Sequence, residues 1–292
     1  NSSALDLRFN VINTMKRILL PTDFSDNSIK AINYAIKIFK NAKCNFYLMH
    51  TYMPPVYEAE YLVGSPGLIG LGDVMQETSM TQLEKLKSRL EKEYHNPNHS
   101  FVVHTAFNTL VNEVMETVES EGIHLVVMGT KGVTGAEEIL FGTNTVHVIR
   151  KANCPVLVVP PNFEYENPLE ILFPTDYEIA YKQEKLSQLL DIANEHGSQI
   201  NVLHVSTGNE LTPDQEKQKR GLEKILGNKA LFHDVPNNEI IDAINAFQAK
   251  EKINLLVMVQ NKHTFIERLF IEPVIKKIGF HVTIPFMVIP QF

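Results

Sequence analysis

Short apolar runs alternate with segments of helical period along most of the chain. Apolar residues recur at three- and four-residue steps between Ile29 and Phe39 and again between Val111 and Val118, which indicates helices with one buried face. The run Leu125–Met128 is apolar throughout, as expected of a strand in a parallel sheet that helices cover on both faces. This alternation predicts a doubly wound α/β fold.

An internal repeat divides this pattern in two. Arg17–Asp23 reads RILLPTD, and Glu170–Asp176, 153 positions later, reads EILFPTD. Further strand-like runs recur in the same order, and their separation falls to 130 positions because the first copy carries a longer insert. We therefore predict two tandem domains, 15–160 and 168–292, joined by a linker at 161–167. The polar segment 1–14 is interpreted as an extension or tag before a natural start at Met15.

The insert of the first copy begins with a breaker-rich segment. Proline and glycine crowd the residues from Met53 to Gly72, which predicts a long loop, either a lid over a ligand crevice or plain disorder. A helix is predicted from about Asp73 to Tyr94.

Composition and charge exclude several classes of protein. A formal charge of −7 without a Lys/Arg cluster argues against a nucleic-acid surface, which must neutralise many phosphates. No apolar run approaches the roughly 18 residues of a membrane span. The two cysteines, Cys44 and Cys154, allow at most one disulfide, and we find no histidine pair at a metal-ligand spacing beside Cys or carboxylate partners. We expect a cytoplasmic protein with no nucleic-acid or membrane partner and no metal-ligating residues.

A glycine constellation follows the strand-like run at 125–128. Gly129–Gly132 reads GTKG, and Gly142–Thr145 reads GTNT after nine further residues. Glycines here would permit positive φ and let main-chain amides approach an anion, and a helix opening at the second segment would offer its first amides to phosphate. The hydroxyls of Thr143 and Thr145 would add donors, and Lys131 would add a charge unless it points into solvent. Glycine spacing alone suits an ordinary strand-to-helix turn equally well, and it matches neither the Walker pattern nor the dinucleotide fingerprint.

The constellation resembles that of the universal stress protein family, whose nucleotide-binding members carry Gly-x-x-Gly, nine residues and Gly-Ser/Thr after the fourth strand. Similarity extends to MKRILLPTDFS at 15–25 and CPVLVVP at 154–160, and it covers nearly the whole chain. It implies a five-stranded, mainly parallel sheet in each half and a bound ATP or related adenine nucleotide, which Mg²⁺ could accompany. The implied binding residues are Pro21, Thr22, Asp23, Met128, Gly129, Lys131, Gly132, Gly142, Thr143, Asn144 and Thr145.

Asp23 and its repeat counterpart lead to different expectations. The resemblance gives Asp23 a role on the nucleoside side of the ligand, and the alternative is a cap for the following helix, which Ser25 could supply instead. The second copy keeps Asp176 but places Val259 and Lys262 at the counterparts of the first two glycines, with Ile271 and Glu272 near the third. We predict that the second copy binds no ATP in the usual pose.

Three functions are compatible with the residues. The first is a regulatory nucleotide binder of the stress response, the second a slow ATPase or nucleotidyl hydrolase, and the third a stress-response interaction protein with a non-nucleotide ligand in its second half. No water-activating base or acidic metal pair accompanies Asp23, so no catalytic residue is assigned and binding is favoured over catalysis. The last strands, 155–160 and 285–290, are bracketed by prolines, which suits sheet edges. Such edges could pair into an intramolecular pseudo-dimer, and a homo-oligomer is a further option.

Overall fold

The computed structural model describes a helix-covered sheet through residues 15–53, 71–130, 142–206, 210–236, 240–260 and 283–290. In the first half, up to residue 160, the elements are β1 (Lys16–Pro21), α1 (Asp26–Ile38), β2 (Cys44–Thr51), α2 (Leu71–Tyr94), β3 (His99–Ala106), α3 (Leu110–Ser120), β4 (Leu125–Gly129), α4 (Thr143–Lys151) and β5 (Val156–Val159). In the second half, from residue 168, they are β6 (Glu170–Thr175), α5 (Ser187–His196), β7 (Gln199–Ser206), α6 (Pro213–Leu226), β8 (Ala230–Pro236), α7 (Ile240–Lys250), β9 (Leu255–Val259) and β10 (Phe286–Ile289).

The strands form one continuous sheet in the order β3-β2-β1-β4-β5-β10-β9-β6-β7-β8. Pairing is parallel within each half, and β5 pairs antiparallel with β10, with Leu157 opposite Met287. The predicted α/β fold with two five-stranded parallel sheets is confirmed. The proline-bracketed strands end each half-sheet as predicted, but they pair with each other and so lie at the centre of the whole sheet.

Alternating strand residues contribute to two apolar layers, one on each face of the sheet. Ile18 and Leu20 of β1 belong to the layer that includes residues of α1 and α2, whereas Leu19 belongs to the layer that includes residues of α3, α4 and α7. All four residues of Leu125–Met128 are buried, which confirms a strand that is apolar on both faces. The central strands are thereby fixed in register, because a one-residue slip would exchange the two layers.

The helix after the long insert begins two residues earlier than its predicted start. Helix α2 includes Leu71 and Gly72, and the rest of the predicted loop, 54–70, lies outside the described residues. None of the described helices is long and apolar enough to cross a membrane.

Polar contacts join the second half and the linker to α1 and β1. His196 lies 2.7 Å through a ring nitrogen from the carbonyl oxygen of Ile38, and Lys16 forms an ion pair with Asp191. In the linker, the carbonyl oxygen of Pro161 accepts a hydrogen bond from Lys30 Nζ at 2.8 Å. Pro161 and the second half therefore both contact α1 or β1 of the first half.

Candidate functional site

A cleft of about 840 Å³ opens at the carboxyl ends of β1 and β4. It is lined by nine of the eleven residues implied by the family resemblance: Pro21, Thr22, Asp23, Met128, Gly129, Gly142, Thr143, Asn144 and Thr145. The other two, Lys131 and Gly132, lie outside the described residues. Segments more than one hundred positions apart in the chain thus meet at one site, where parallel-sheet proteins place their ligands.

The turn after β1 is held by the Thr22 side chain. Its Oγ1 accepts a hydrogen bond from the backbone N–H of Phe24 at 2.9 Å and lies 2.9 Å from Ser28 Oγ. Phe24 adopts a left-handed backbone conformation with φ of 62°, which is costly for an aromatic residue and needs such support. Thr22 is buried, and its hydroxyl shapes the turn rather than standing available to a ligand.

Asp23 is exposed in that turn and remains ionised. The N-cap of α1 is Ser25, whose Oγ accepts from the N–H of Ser28 at 3.3 Å, so the alternative that Asp23 caps the helix is wrong. Asp23 Oδ1 instead accepts hydrogen bonds from the Ser25 N–H at 3.1 Å and the Ser25 hydroxyl at 2.5 Å. Burial raises the pKa of Asp23, but the hydrogen bonds from Ser25 and Ser28 outweigh it and leave the pKa below 3.8. Both hydrogen bonds from Ser25 engage Oδ1, and Asp23 is one of the residues that line the cleft.

The opposite wall of the cleft is the amino end of α4. Its N-cap is Gly142, which provides no side-chain cap, and Thr143 and Asn144 in the first turn are exposed. Thr145 is different, because it is buried and its hydroxyl donates to the carbonyl oxygen of Gly129 at 3.3 Å. Its hydroxyl therefore ties α4 to β4, contrary to the expectation that it donates to a ligand.

The two described glycines of the constellation do not adopt the expected positive φ. Gly142 has φ of −61°. Gly129 is described as well, and its φ is not positive. At Gly129 the requirement is space, since a Cβ atom would lie 2.7 Å from Nδ2 of Asn27. The end of β4 has no side chain at Gly129 because the Asn27 side chain of α1 occupies that space.

Several lining residues were not predicted from the sequence. These are Ser25, Asp26, Asn27, Ser28, His50, Thr51, Leu110 and Thr130. His50 stacks on Phe24 with ring centroids 4.7 Å apart, and its Nδ1 lies 2.8 Å from Ser79 Oγ. Burial lowers the pKa of His50, and the nearby charge of Asp23 opposes that shift only in part. His50 could have been found from the repeat, because His204 occupies the matching strand end.

The second half repeats this turn. Tyr177 has φ of 57°, its N–H donates to Thr175 Oγ1 at 3.0 Å, and its ring stacks on His204 at 5.1 Å. Here, however, the Thr175 hydroxyl is also bonded to the hydroxyl of Tyr181, and Gln215 Nε2 donates to the carbonyl oxygen of Asp176 at 3.0 Å.

The end of β9 carries a different type of residue from the end of β4. Buried Val259 stands where the first half has Gly129. The Asp176 carboxylate accepts a hydrogen bond from the Glu178 N–H at 3.0 Å, much as Asp23 accepts from Ser25, so the clear difference is the branched side chain at the strand end. The counterparts Lys262, Ile271 and Glu272 lie outside the described residues.

Known proteins resemble the chain in sequence and in fold. The family model described as the universal stress protein family matches residues 14–160. A universal stress protein of Methanocaldococcus jannaschii is 34% identical over 152 residues, which cover 50% of this chain and 83% of the relative. A second one from that organism is 32% identical over 161 residues, covering 49% and 94%. The crystal structure of a universal stress protein from Archaeoglobus fulgidus superposes with a TM-score of 0.64 at 17% identity, covering 94% of this chain and 96% of that one. The chain belongs to the universal stress protein family.

Proposed function

We propose that this protein is a nucleotide-binding regulator of the stress response that holds ATP or a related adenine nucleotide in its first half. The observation that carries the proposal is the pairing, across one cleft, of an ionised carboxylate at Asp23 with a helix amino end that has no side-chain cap at Gly142. The cleft volume of about 840 Å³ lies within the roughly 300–1,000 Å³ range of small-molecule sites.

The phosphate end of the ligand belongs at α4. The first N–H groups of a helix have no intrahelical partner, and the aligned peptide dipoles place partial positive charge there. A side-chain cap would occupy one of these donors, whereas Gly142 leaves them to a ligand. The exposed Thr143 and Asn144 border the same cleft, so their amides and side chains can bind phosphate oxygens.

The nucleoside end belongs at Asp23. A carboxylate accepts hydrogen bonds and repels phosphate, so it suits the hydroxyl or amine groups of a nucleoside. Ser25 fixes this carboxylate through Oδ1.

The two halves have different tasks in this proposal. We place the nucleotide-binding domain at 15–160, the linker at 161–167 and a degenerate domain at 168–292, the two domains forming an intramolecular pseudo-dimer in the cytoplasm. Val259 supports the asymmetry, because its buried side chain stands at the strand end where the first half has only the bare backbone of Gly129.

Isothermal titration of the full chain with ATP tests the proposal. We expect one bound nucleotide per chain and a loss of affinity of about tenfold or more in Gly142→Glu, because a carboxylate at the helix amino end repels phosphate. Gly221→Glu is the matched control, since Gly221 lies in α6 with open space around its Cβ position, and it should bind as the wild type does.

Mass spectrometry of the ligand that co-purifies provides a second readout. Retention of the same nucleotide by Gly142→Glu would refute the assigned site, and two nucleotides per chain would refute the asymmetry between the halves. Single-turnover hydrolysis by the wild type, abolished in Asp23→Ala, would favour an enzyme instead.

A further inference from the structure

We infer that Asn27 recognises the sugar of the bound nucleotide, its amide oxygen accepting a hydrogen bond from a ribose hydroxyl so that the cleft prefers ribonucleotides to deoxyribonucleotides. This inference rests on the proposed function and adds to it a residue and a specificity. Asn27 lies in the first turn of α1 and lines the cleft beside β4.

The amide oxygen of Asn27 is a buried acceptor with nothing to accept from. Among the described residues, Oδ1 is shielded from solvent and has no hydrogen-bond partner. The Oγ1 atom of Thr130, a residue that is only 1% exposed in the same cleft lining, is also unpaired. Burying such groups unpaired is unfavourable, and a ligand in the cleft would supply the missing donors.

Gly129 leaves room for this amide at the end of β4. The Asn27 side chain lies so close to the end of β4 that a Cβ atom on Gly129 would be 2.8 Å from its Cγ. The bare backbone of Gly129 therefore admits the amide to this part of the cleft lining.

Hydrogen-bond chemistry selects the sugar as the partner. The Asp23 carboxylate and the Asn27 amide oxygen are both acceptors, and both border the cleft. A nucleotide phosphate is ionised and offers acceptors of its own, so it suits the amino end of α4 instead. Ribose offers two hydroxyl donors side by side, matching two acceptors, and the Thr130 hydroxyl can donate or accept beside them.

The internal repeat supports a link between Asn27 and Gly129. At the corresponding positions of the second half, the sequence has Ala180 in place of Asn27 and Val259 in place of Gly129. The amide and the space that admits it are thus both missing from the second half. This is expected if the pair serves the ligand, since a helix needs neither an asparagine at this position nor a bare strand end beside it.

Titration of the full chain with ATP, 2′-deoxy-ATP and 3′-deoxy-ATP tests the inference. We expect the wild type to bind ATP at least about tenfold more tightly than one of the two deoxy analogues, because a polar site rejects a ligand that leaves its buried groups unpaired. Asn27→Ala should lose that ratio through weaker ATP binding, with the affinity for the disfavoured analogue unchanged. Asn27→Asp, which keeps an acceptor, should retain the preference.

Asn33→Ala is the matched control. Asn33 lies on the same helix and also has an unpaired buried Oδ1, but it does not line the cleft, so its removal should leave the ratio intact. Equal affinities of the wild type for ATP and both deoxy analogues, or an unchanged ratio in Asn27→Ala, would overturn the inference and leave the proposed function standing. Failure of the wild type to bind any adenine nucleotide would overturn the proposed function itself.

Discussion

Gly129 illustrates how a single residue can be placed correctly from the sequence for the wrong reason. The glycine pattern predicts its position at a strand end beside the cleft, and the structure agrees. The expected reason was backbone conformation, whereas the actual one is the Asn27 side chain 2.7 Å from a would-be Cβ. A contact between residues about a hundred positions apart leaves no local signal. Only the joint exchange to Ala180 and Val259 in the repeat could have indicated it.

Gly129→Ala should therefore weaken both folding and binding. Its Cβ would displace the Asn27 amide, and overpacking of this kind costs about 1–3 kcal/mol of unfolding free energy. We expect a lower urea midpoint and weaker ATP binding. Gly72→Ala, in a helix with open space at the Cβ position, should leave binding unchanged. Wild-type stability and affinity in Gly129→Ala would show that Asn27 moves aside freely.

The Asp23 carboxylate should make folding stability depend on pH. Its pKa in the folded protein is lowered below 3.8, so the ionised form is favoured by folding. The resulting stability is present above about pH 4 and disappears as pH falls through the lowered pKa.

We expect Asp23→Asn to have a lower urea midpoint than the wild type at pH 7 and a difference that shrinks as the pH is brought below 4. Ser25→Ala removes the hydroxyl donor to the carboxylate and should reduce the same pH-dependent difference. A constant difference between pH 7 and pH 3 would contradict this assignment.

Among the elements, α4 combines a correct prediction with a misassigned side chain. Its start at Gly142–Thr143 follows from the sequence. The directions of the threonine hydroxyls of α4 do not follow from the sequence, because they depend on which face of the helix packs against the sheet. Val148 and Ile149 are buried in that packing, and Thr145 is turned inward with them. Its bond to Gly129 then fixes the helix end relative to the strand end.

Thr145→Val should loosen this attachment. The change keeps the shape but removes a buried hydrogen bond, so we expect a loss of about 1–3 kcal/mol, including the unpaired Gly129 carbonyl. ATP affinity should fall as well, because the amides that we propose to bind phosphate would lose their fixed position. Thr143→Val, at an exposed residue of the same turn, should unfold at the wild-type urea concentration. Equal urea midpoints for Thr145→Val and Thr143→Val would show that the hydrogen bond from Thr145 to Gly129 does not stabilise the fold.

At the scale of the whole molecule, the repeat predicts two sheets, and tertiary pairing makes them one. Prolines around the last strands were interpreted as edge signals, which is correct for each half-sheet. An edge strand carries unpaired N–H and C=O groups, and here β5 and β10 satisfy each other's. The buried residues at this joint include Leu157 and Met287, both fully inaccessible. Local sequence describes each strand but does not specify which edge it will meet.

A shared sheet and shared core should make the two halves unfold together. The chain contains no tryptophan, so Phe101→Trp in β3 and Phe232→Trp in β8 would each report on one outer strand. We expect coincident urea transitions from both probes and from circular dichroism. Leu157→Ala at the joint should lower both midpoints equally, by about 2–5 kcal/mol in free energy. Separate midpoints for the two probes would show that the joint does not couple the halves.

The antiparallel joint also determines the directions from which the molecule can be approached. Because β5 and β10 run oppositely while all other described pairs are parallel, the strands of the second half point opposite to those of the first. The carboxyl ends of the two half-sheets therefore lie on opposite rims, and the cleft after β1 and β4 opens away from the turn at Tyr177. A nucleotide bound in the cleft, as we propose, would therefore leave the turn at Tyr177 on the opposite rim exposed to other partners.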